Sequence, residues 1–264
     1  MTDRTDQTIK ALRTGHDELT ALVSGFTAGD LTRGSGASQW DISQVLSHLG
    51  SDAEIALGGL EAALNATGAP GGEFNQGVWA RWDAMSPAER AEAFVLANGT
   101  LVHRYEGLDA PTREQLRIDL GFLPAPVDLA TAAGLRLNEF AHHLWDIKVV
   151  FDPAATLAPE ATELLIDQAG MLIGFIGKAD NLHGRTVTIA VHTTSPQRSF
   201  GLDVRDTVAL IQTPTDPDRV LTTPAEWWLR LISGRHAPEH TPATVQLTAD
   251  TITLDDLRKV FPGY

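Results

Sequence analysis

Up to Val150 the apolar residues recur with helical spacing in four long segments, and no stretch alternates convincingly as a strand would. Ile9, Leu12, Leu19, Leu22 and Val23 mark a first helix over 5–23, closed by Gly25 and Gly29. A loop of small residues, 32–38, follows. Trp40 and Asp41 open a second helix that runs to Leu64, with Ile42, Val45, Leu46, Leu49, Ala53, Ala56 and Leu60 on its apolar face. Asn65 to Gly72 is a breaker rich in glycine. The third helix starts near Val78 or, separately, after Ser86-Pro87. Glu89 three residues after Ser86 makes a capping-box signal, and 88–105 then reads as helix. The fourth covers 127–150 and stops at Asp152-Pro153. Four such helices joined by loops predict a four-helix bundle over 1–152.

Beyond Pro153 the texture changes. Helices are expected at 160–175, 224–232 and 254–260. Strands are expected at 185–194, 198–204, 207–212, 244–247 and 251–253. Strands adjacent in sequence point to an antiparallel sheet in a smaller α+β domain over 153–264.

Composition narrows the chemistry. The chain of 264 residues has no cysteine, so a metal site must use His, Asp or Glu, and neither a disulfide nor a cysteine nucleophile is available. A net charge of −14 repels phosphate backbones and argues against nucleic-acid partners. The N-terminus lacks an apolar signal region, and no run approaches the roughly 18 apolar residues of a membrane span. The expected location is cytoplasmic, as a monomer or homodimer. Nucleotide-binding glycine loops and the Gly-x-Ser-x-Gly elbow are absent.

The fourth helix carries the most chemistry. At 100° per residue Arg136, Glu139, His143 and Asp146 share an arc of about 80°, with Phe140, Leu144 and Ile147 beside it. Glu139 and His143 are either an i,i+4 surface pair or half of a metal site. Arg136 and Asp146 extend the stripe as supporting partners of ligands do. His142 lies about 100° off the stripe and reads as surface or inter-helix. His48 borders the apolar face of the second helix, as a packed core histidine or as a ligand.

Trp40 through His48-Leu49 resembles the second-helix signature of the DinB-like superfamily. Arg136-x-x-Glu139-x-x-x-His143-x-x-Asp146 resembles its fourth-helix signature, in the variant of the mycothiol-dependent maleylpyruvate isomerase family. The resemblance spans the first 150 residues, and the α+β tail fits that family's sterol-carrier-like second domain. It implies that His48, Glu139 and His143 bind one divalent metal, typically zinc, with a fourth position free for water or a thiolate. Mycothiol or a similar thiol then attacks a small electrophilic substrate, as isomerase or S-transferase. The missing cysteine agrees with a nucleophile that arrives on a cofactor. The alternatives are a hydrolase using a metal-bound water and a non-catalytic ligand-binding or regulatory protein.

The sequence also departs from the family. Ser51 and Asp52 stand where Arg-Asn is common, so Asp52 is expected to orient His48 or to alter charge preference. Arg136, Asp52 and Asp146 are the candidates for catalytic support. Trp79 and Trp82, in the connection before the third helix, line a pocket mouth or pack as core. Arg235, after Ser233-Gly234, is the expected arginine for an anionic substrate group, with Arg230 as its alternative.

Overall fold

The structure is a computed structural model that describes residues 4–263. It divides into two compact units, Met1–Asp152 and Pro153–Tyr264.

The first unit contains α1 (Arg4–Ser24), α2 (Ala28–Leu31), α3 (Ile42–Leu64), α4 (Gly72–Asp83), α5 (Pro87–Glu106), α6 (Ala110–Gln115) and α7 (Leu129–Lys148). The long helices α1, α3, α5 and α7 form a ring of contacts: α3 packs on α5 and α7, and α1 packs on α7 and α5. This is a four-helix bundle. Its core holds Leu12, Leu19, Ile42, Leu46, Leu49, Phe94, Leu101 and Phe140, all buried.

Local chemistry fixes where these helices begin. Asp41 Oδ1 accepts from the Gln44 amide at 2.8 Å, and Gln44 Oε1 accepts from the Asp41 amide at 2.9 Å. Ser86 and Glu89 form the same reciprocal box ahead of Pro87. Asp128 caps α7 through the Thr131 amide at 2.8 Å.

The first unit departs from the sequence reading in several places, the short helices α2 and α6 among them. The stretch 72–83 is a helix, so Trp79 and Trp82 sit on α4 rather than in a connection. A hairpin of two-residue strands, β1 (Arg117–Ile118) and β2 (Val127–Asp128), precedes α7 where no strand is expected.

The second unit opens with α8 (Pro159–Leu165), a 3-10 segment (Ile166–Met171) and α9 (Ile173–Ile176). The single helix expected at 160–175 is therefore broken, with Gly170 lowering helix propensity at the break. A five-stranded sheet follows: β3 (Val187–Thr194), β4 (Arg198–Val204), β5 (Val208–Ile211), β6 (Val220–Pro224) and β7 (Gln246–Thr248), ordered β5-β4-β3-β6-β7. Neighbours pair antiparallel except β3 and β6, which run parallel from Ala190 opposite Val220 to Thr194 opposite Pro224. α10 (Ala225–Ile232) starts directly from β6, and α11 (Leu254–Val260) ends the unit. The strand expected at 251–253 is instead the capping turn of α11. Thr253 Oγ1 accepts from the Asp256 amide at 3.2 Å, and the Asp256 carboxylate accepts from the Thr253 amide at 3.1 Å. Among the described residues no helix is long and apolar enough to cross a membrane.

Candidate metal centre

His48 projects from the first third of α3, and Glu139 and His143 lie one turn apart on α7. The antiparallel approach of these helices brings the three side chains together. His48 Nε2 is 3.4 Å from Glu139 Oε2, and His143 Nε2 is 3.7 Å from the same oxygen. The two imidazole centroids stand 4.7 Å apart. Donors bound to a tetrahedral ion at 2.0–2.2 Å are about 3.4 Å from one another, so this spacing suits a small divalent cation. Among the described residues this is the one cluster whose donor atoms all fall within 4.8 Å of each other.

His143 is oriented from behind. Its Nδ1–H donates to Asp146 Oδ2 at 2.8 Å, which leaves Nε2 as the lone-pair nitrogen facing Glu139. Asp146 is fully buried, and the loop before α3 holds the backbone at that point. The Gly36 amide donates to the Asp146 carbonyl at 2.8 Å. A Cβ at Gly36 would stand 3.0 Å from both the Asp146 Cα and its Oδ1, so only glycine approaches without displacing the carboxylate. Burial pushes the Glu139 carboxyl up, but hydrogen bonds and charge from His143 and His48, when those rings are protonated, outweigh this and hold it below the usual carboxylate range. Two neutral imidazoles and one carboxylate form a donor set that fits a catalytic zinc-type site with an open position.

The same loop supplies a cover. The Trp40 indole lies 5.2 Å from the His48 ring and 5.8 Å from the His143 ring, nearly parallel to the latter, and keeps 37% of its surface exposed. Beside His48 a cleft of about 210 Å³ is lined by Trp40, Ser51, Trp79, Trp82 and Arg90 among others. Trp82 is buried with its indole N–H unpartnered. The outer edge of its ring abuts α3 because position 50 is glycine: a Cβ there would fall 2.0 Å from Trp82 Cη2. Arg90 pins the end of α4 by donating to the carbonyls of Trp82 at 3.3 Å and Asp83 at 3.0 Å.

The remaining sequence candidates are distributed as follows. Asp52 makes no hydrogen bond to His48. Its carboxylate accepts from Arg136 Nη1 instead, so its expected role as an orienter of His48 is corrected. Arg136, one turn before Glu139, also donates to the Leu49 carbonyl and to Asn98 Oδ1, both at 2.8 Å. His142 is buried rather than at the surface. Its Nδ1 faces the Asn138 carbonyl at 2.8 Å, away from the donor cluster. In the second unit Arg230 is buried and gripped by Glu226 at 2.7 and 2.9 Å, which makes it a structural group rather than an alternative to Arg235. Arg235 is partly exposed, with Nη1 on the Ser233 carbonyl at 3.1 Å. Trp40, Arg90 and Asn98 were not read as site residues. Trp40 stood in the motif with His48, so the signal for it was present.

The family model described as mycothiol maleylpyruvate isomerase N-terminal domain matches residues 12–148. The chain belongs to that family. Two solved structures of mycothiol-dependent maleylpyruvate isomerase, one a histidine-to-alanine variant, resemble it over 94% of this chain and 96% of theirs. Their TM-scores are 0.62 and 0.61, at 13% and 12% identity. At that identity the likeness establishes a shared fold across both units. A comparison with curated protein sequences gave no significant match. Membership of the mycothiol maleylpyruvate isomerase family rests on the bundle, which is also the unit that holds the donor cluster.

Proposed function

We propose that this chain is a metal-dependent enzyme that uses a low-molecular-weight thiol, mycothiol or a relative, against a small electrophilic substrate, as an isomerase or an S-transferase. The observation that carries the reading is the convergence of His48, Glu139 and His143 at 3.4–3.7 Å, with Asp146 fixing the tautomer of His143. His48, Glu139 and His143 would hold a divalent ion, zinc by its donor set, which would supply the positive charge that stabilises a thiolate at neutral pH.

The chain's own groups divide the remaining work. Asp146 holds the His143 ring in the orientation that presents Nε2. Trp40 shields both imidazoles on one side and narrows the approach to the cleft beside His48. Trp79 and Trp82 give that cleft aromatic walls. Arg235 is proposed to take an anionic group of the substrate. In both outcomes the thiol sulfur forms a bond to an electrophilic carbon. An isomerase adds the thiol across a double bond, allows rotation and eliminates the thiol again. A transferase retains the adduct.

The test is metal analysis of wild type beside His48→Ala and His143→Ala, followed by mycothiol titration of cobalt-substituted protein. Wild type is expected to hold one equivalent of metal, both variants to lose it, and the thiol to shift the cobalt absorption bands. Absence of metal from reconstituted wild type overturns the metal reading. A spectrum indifferent to mycothiol overturns the thiol reading and makes water the nucleophile to test.

A further inference from the structure

One turn along α7 from Glu139 and one turn along α3 from His48, each long helix of the bundle contributes one polar side chain to a second layer, buried except at half-buried Asp52. Arg136 comes from α7, Asp52 from α3, Asn98 from α5 and His16 from α1. The Arg136 guanidinium donates to the Asp52 carboxylate, to the Leu49 carbonyl and to Asn98 Oδ1. Asn98 Nδ2 lies 3.0 Å from His16 Nδ1. Arg136, Asn98 and His16 are 4%, 0% and 6% exposed.

The bonding leaves no freedom of assignment. Arg136 can only donate, so it claims the Asn98 oxygen. The Asn98 amide nitrogen must then donate to His16 Nδ1, and His16 is neutral with its proton on Nε2. The layer is therefore a one-directional relay from α7 through α5 to α1, with a branch to α3.

Its place along the helices matters. Arg136 is three residues before Glu139 on α7, and Asp52 is four residues after His48 on α3. Because α3 and α7 are antiparallel, the Arg136–Asp52 pair and the metal donors are successive rungs of one seam. A buried arginine whose Nε has no partner is a poor device for stability alone, since apolar side chains fill such space at lower cost. A layer of directional bonds does what apolar packing does less well: it admits one register. Site geometry must hold to about 0.5 Å, a small fraction of the ~5.4 Å helical pitch.

We propose that Asn98 and His16, acting through Arg136 and Asp52, are positioning residues that set the register of α3 against α7, so that His48 meets Glu139 and His143 at the spacing a divalent ion requires. This rests on the reading of the triad as a metal site.

The experiment is cobalt binding by chelator competition and the cobalt d–d spectrum, each recorded well below the melting temperature of the variant concerned. The proteins are wild type, Asn98→Leu, Asn98→Asp and His16→Leu. Asn98→Leu, which removes the relay at similar volume, is expected to weaken cobalt binding at least about tenfold, within the range seen when groups behind ligands are lost, and to alter the spectrum. Asn98→Asp keeps an acceptor for Arg136 but loses the donor to His16 Nδ1, and is expected to give a cobalt affinity and spectrum between those of Asn98→Leu and wild type. His16→Leu, at the far end, is expected to give a smaller change in the same direction, and it carries the test if Asn98→Leu does not fold. Folded variants with lowered melting temperatures but wild-type cobalt affinity and spectra overturn the positioning role. Wild type that binds no cobalt overturns the metal reading itself, a result distinct from any variant effect.

Discussion

Among the described residues two arginines are buried, and they are satisfied in opposite ways. Arg230 on α10 meets Glu226 one turn earlier on its own helix, through two hydrogen bonds, and reaches the carbonyls of Arg235 and His240 just beyond the helix end. Arg136 on α7 draws its partners from two other helices: Asp52 and Leu49 on α3, and Asn98 on α5. The first arrangement staples a helix to the turn that follows it. The second ties distant segments together, so its consequences are felt where those segments jointly hold a site. Equal burial therefore does not imply an equal role; what differs is how far along the chain the partners lie.

Substitution by methionine separates the two most sharply. Arg230→Met leaves Glu226 buried without its guanidinium. It is expected to cost about 3–5 kcal/mol in urea denaturation while leaving metal affinity unchanged. Arg136→Met leaves Asp52 partly exposed and able to hydrate, so its stability cost is smaller, about 1–3 kcal/mol, but metal affinity falls with it. Metal loss in the Arg230 variant alone would invert the comparison. Asp146→Asn tests the same seam without touching the bundle's charge pair. The amide no longer matches the His143 tautomer as well, and metal affinity is expected to fall about 10–100-fold by chelator competition.

Ser86→Ala, which removes the α5 cap, is expected to cost about 1 kcal/mol and to leave metal affinity alone. The smallest effect concerns protons. Burial, reinforced by the charge of Arg13, lowers the His16 pKa, and burial likewise lowers that of His236 in the second unit. The unfolded chain takes up these protons first. Their contribution to stability is therefore flat above about pH 6.5 and is lost as the pH falls below it toward the folded values. His16→Gln should remove part of this slope in pH-dependent denaturation and leave the part due to His236.

The bundle was legible because α1, α3, α5 and α7 bury continuous apolar stripes and because Asp41 and Ser86 are caps of ordinary type. α4 was read only in part. Of its twelve residues only Val78 and Trp82 are buried, so it lacks the periodic stripe that marks a helix packed along its length. β6 was missed because five residues ending in Pro224 carry little alternation, and because its parallel partner β3 lies far away in sequence. The donors His48, Glu139 and His143 could be named as a set only through a family resemblance, since spacing alone left an i,i+4 pair and a solitary histidine. Asn98 and His16 left no trace in the pattern. Each is a lone polar residue on an apolar face, and only the packing of four helices turns them into a chain of bonds.

Trp40 has one more consequence. An indole within 6 Å of both imidazoles of the proposed centre would make metal occupancy optically self-reporting. A closed-shell ion at the triad alters the field on the indole and shifts its emission, whereas an open-shell ion quenches it. Loss of that response in Trp40→Phe, among the chain's six tryptophans, would assign the signal to this side chain. Occupancy could then be followed in real time, before any substrate is known.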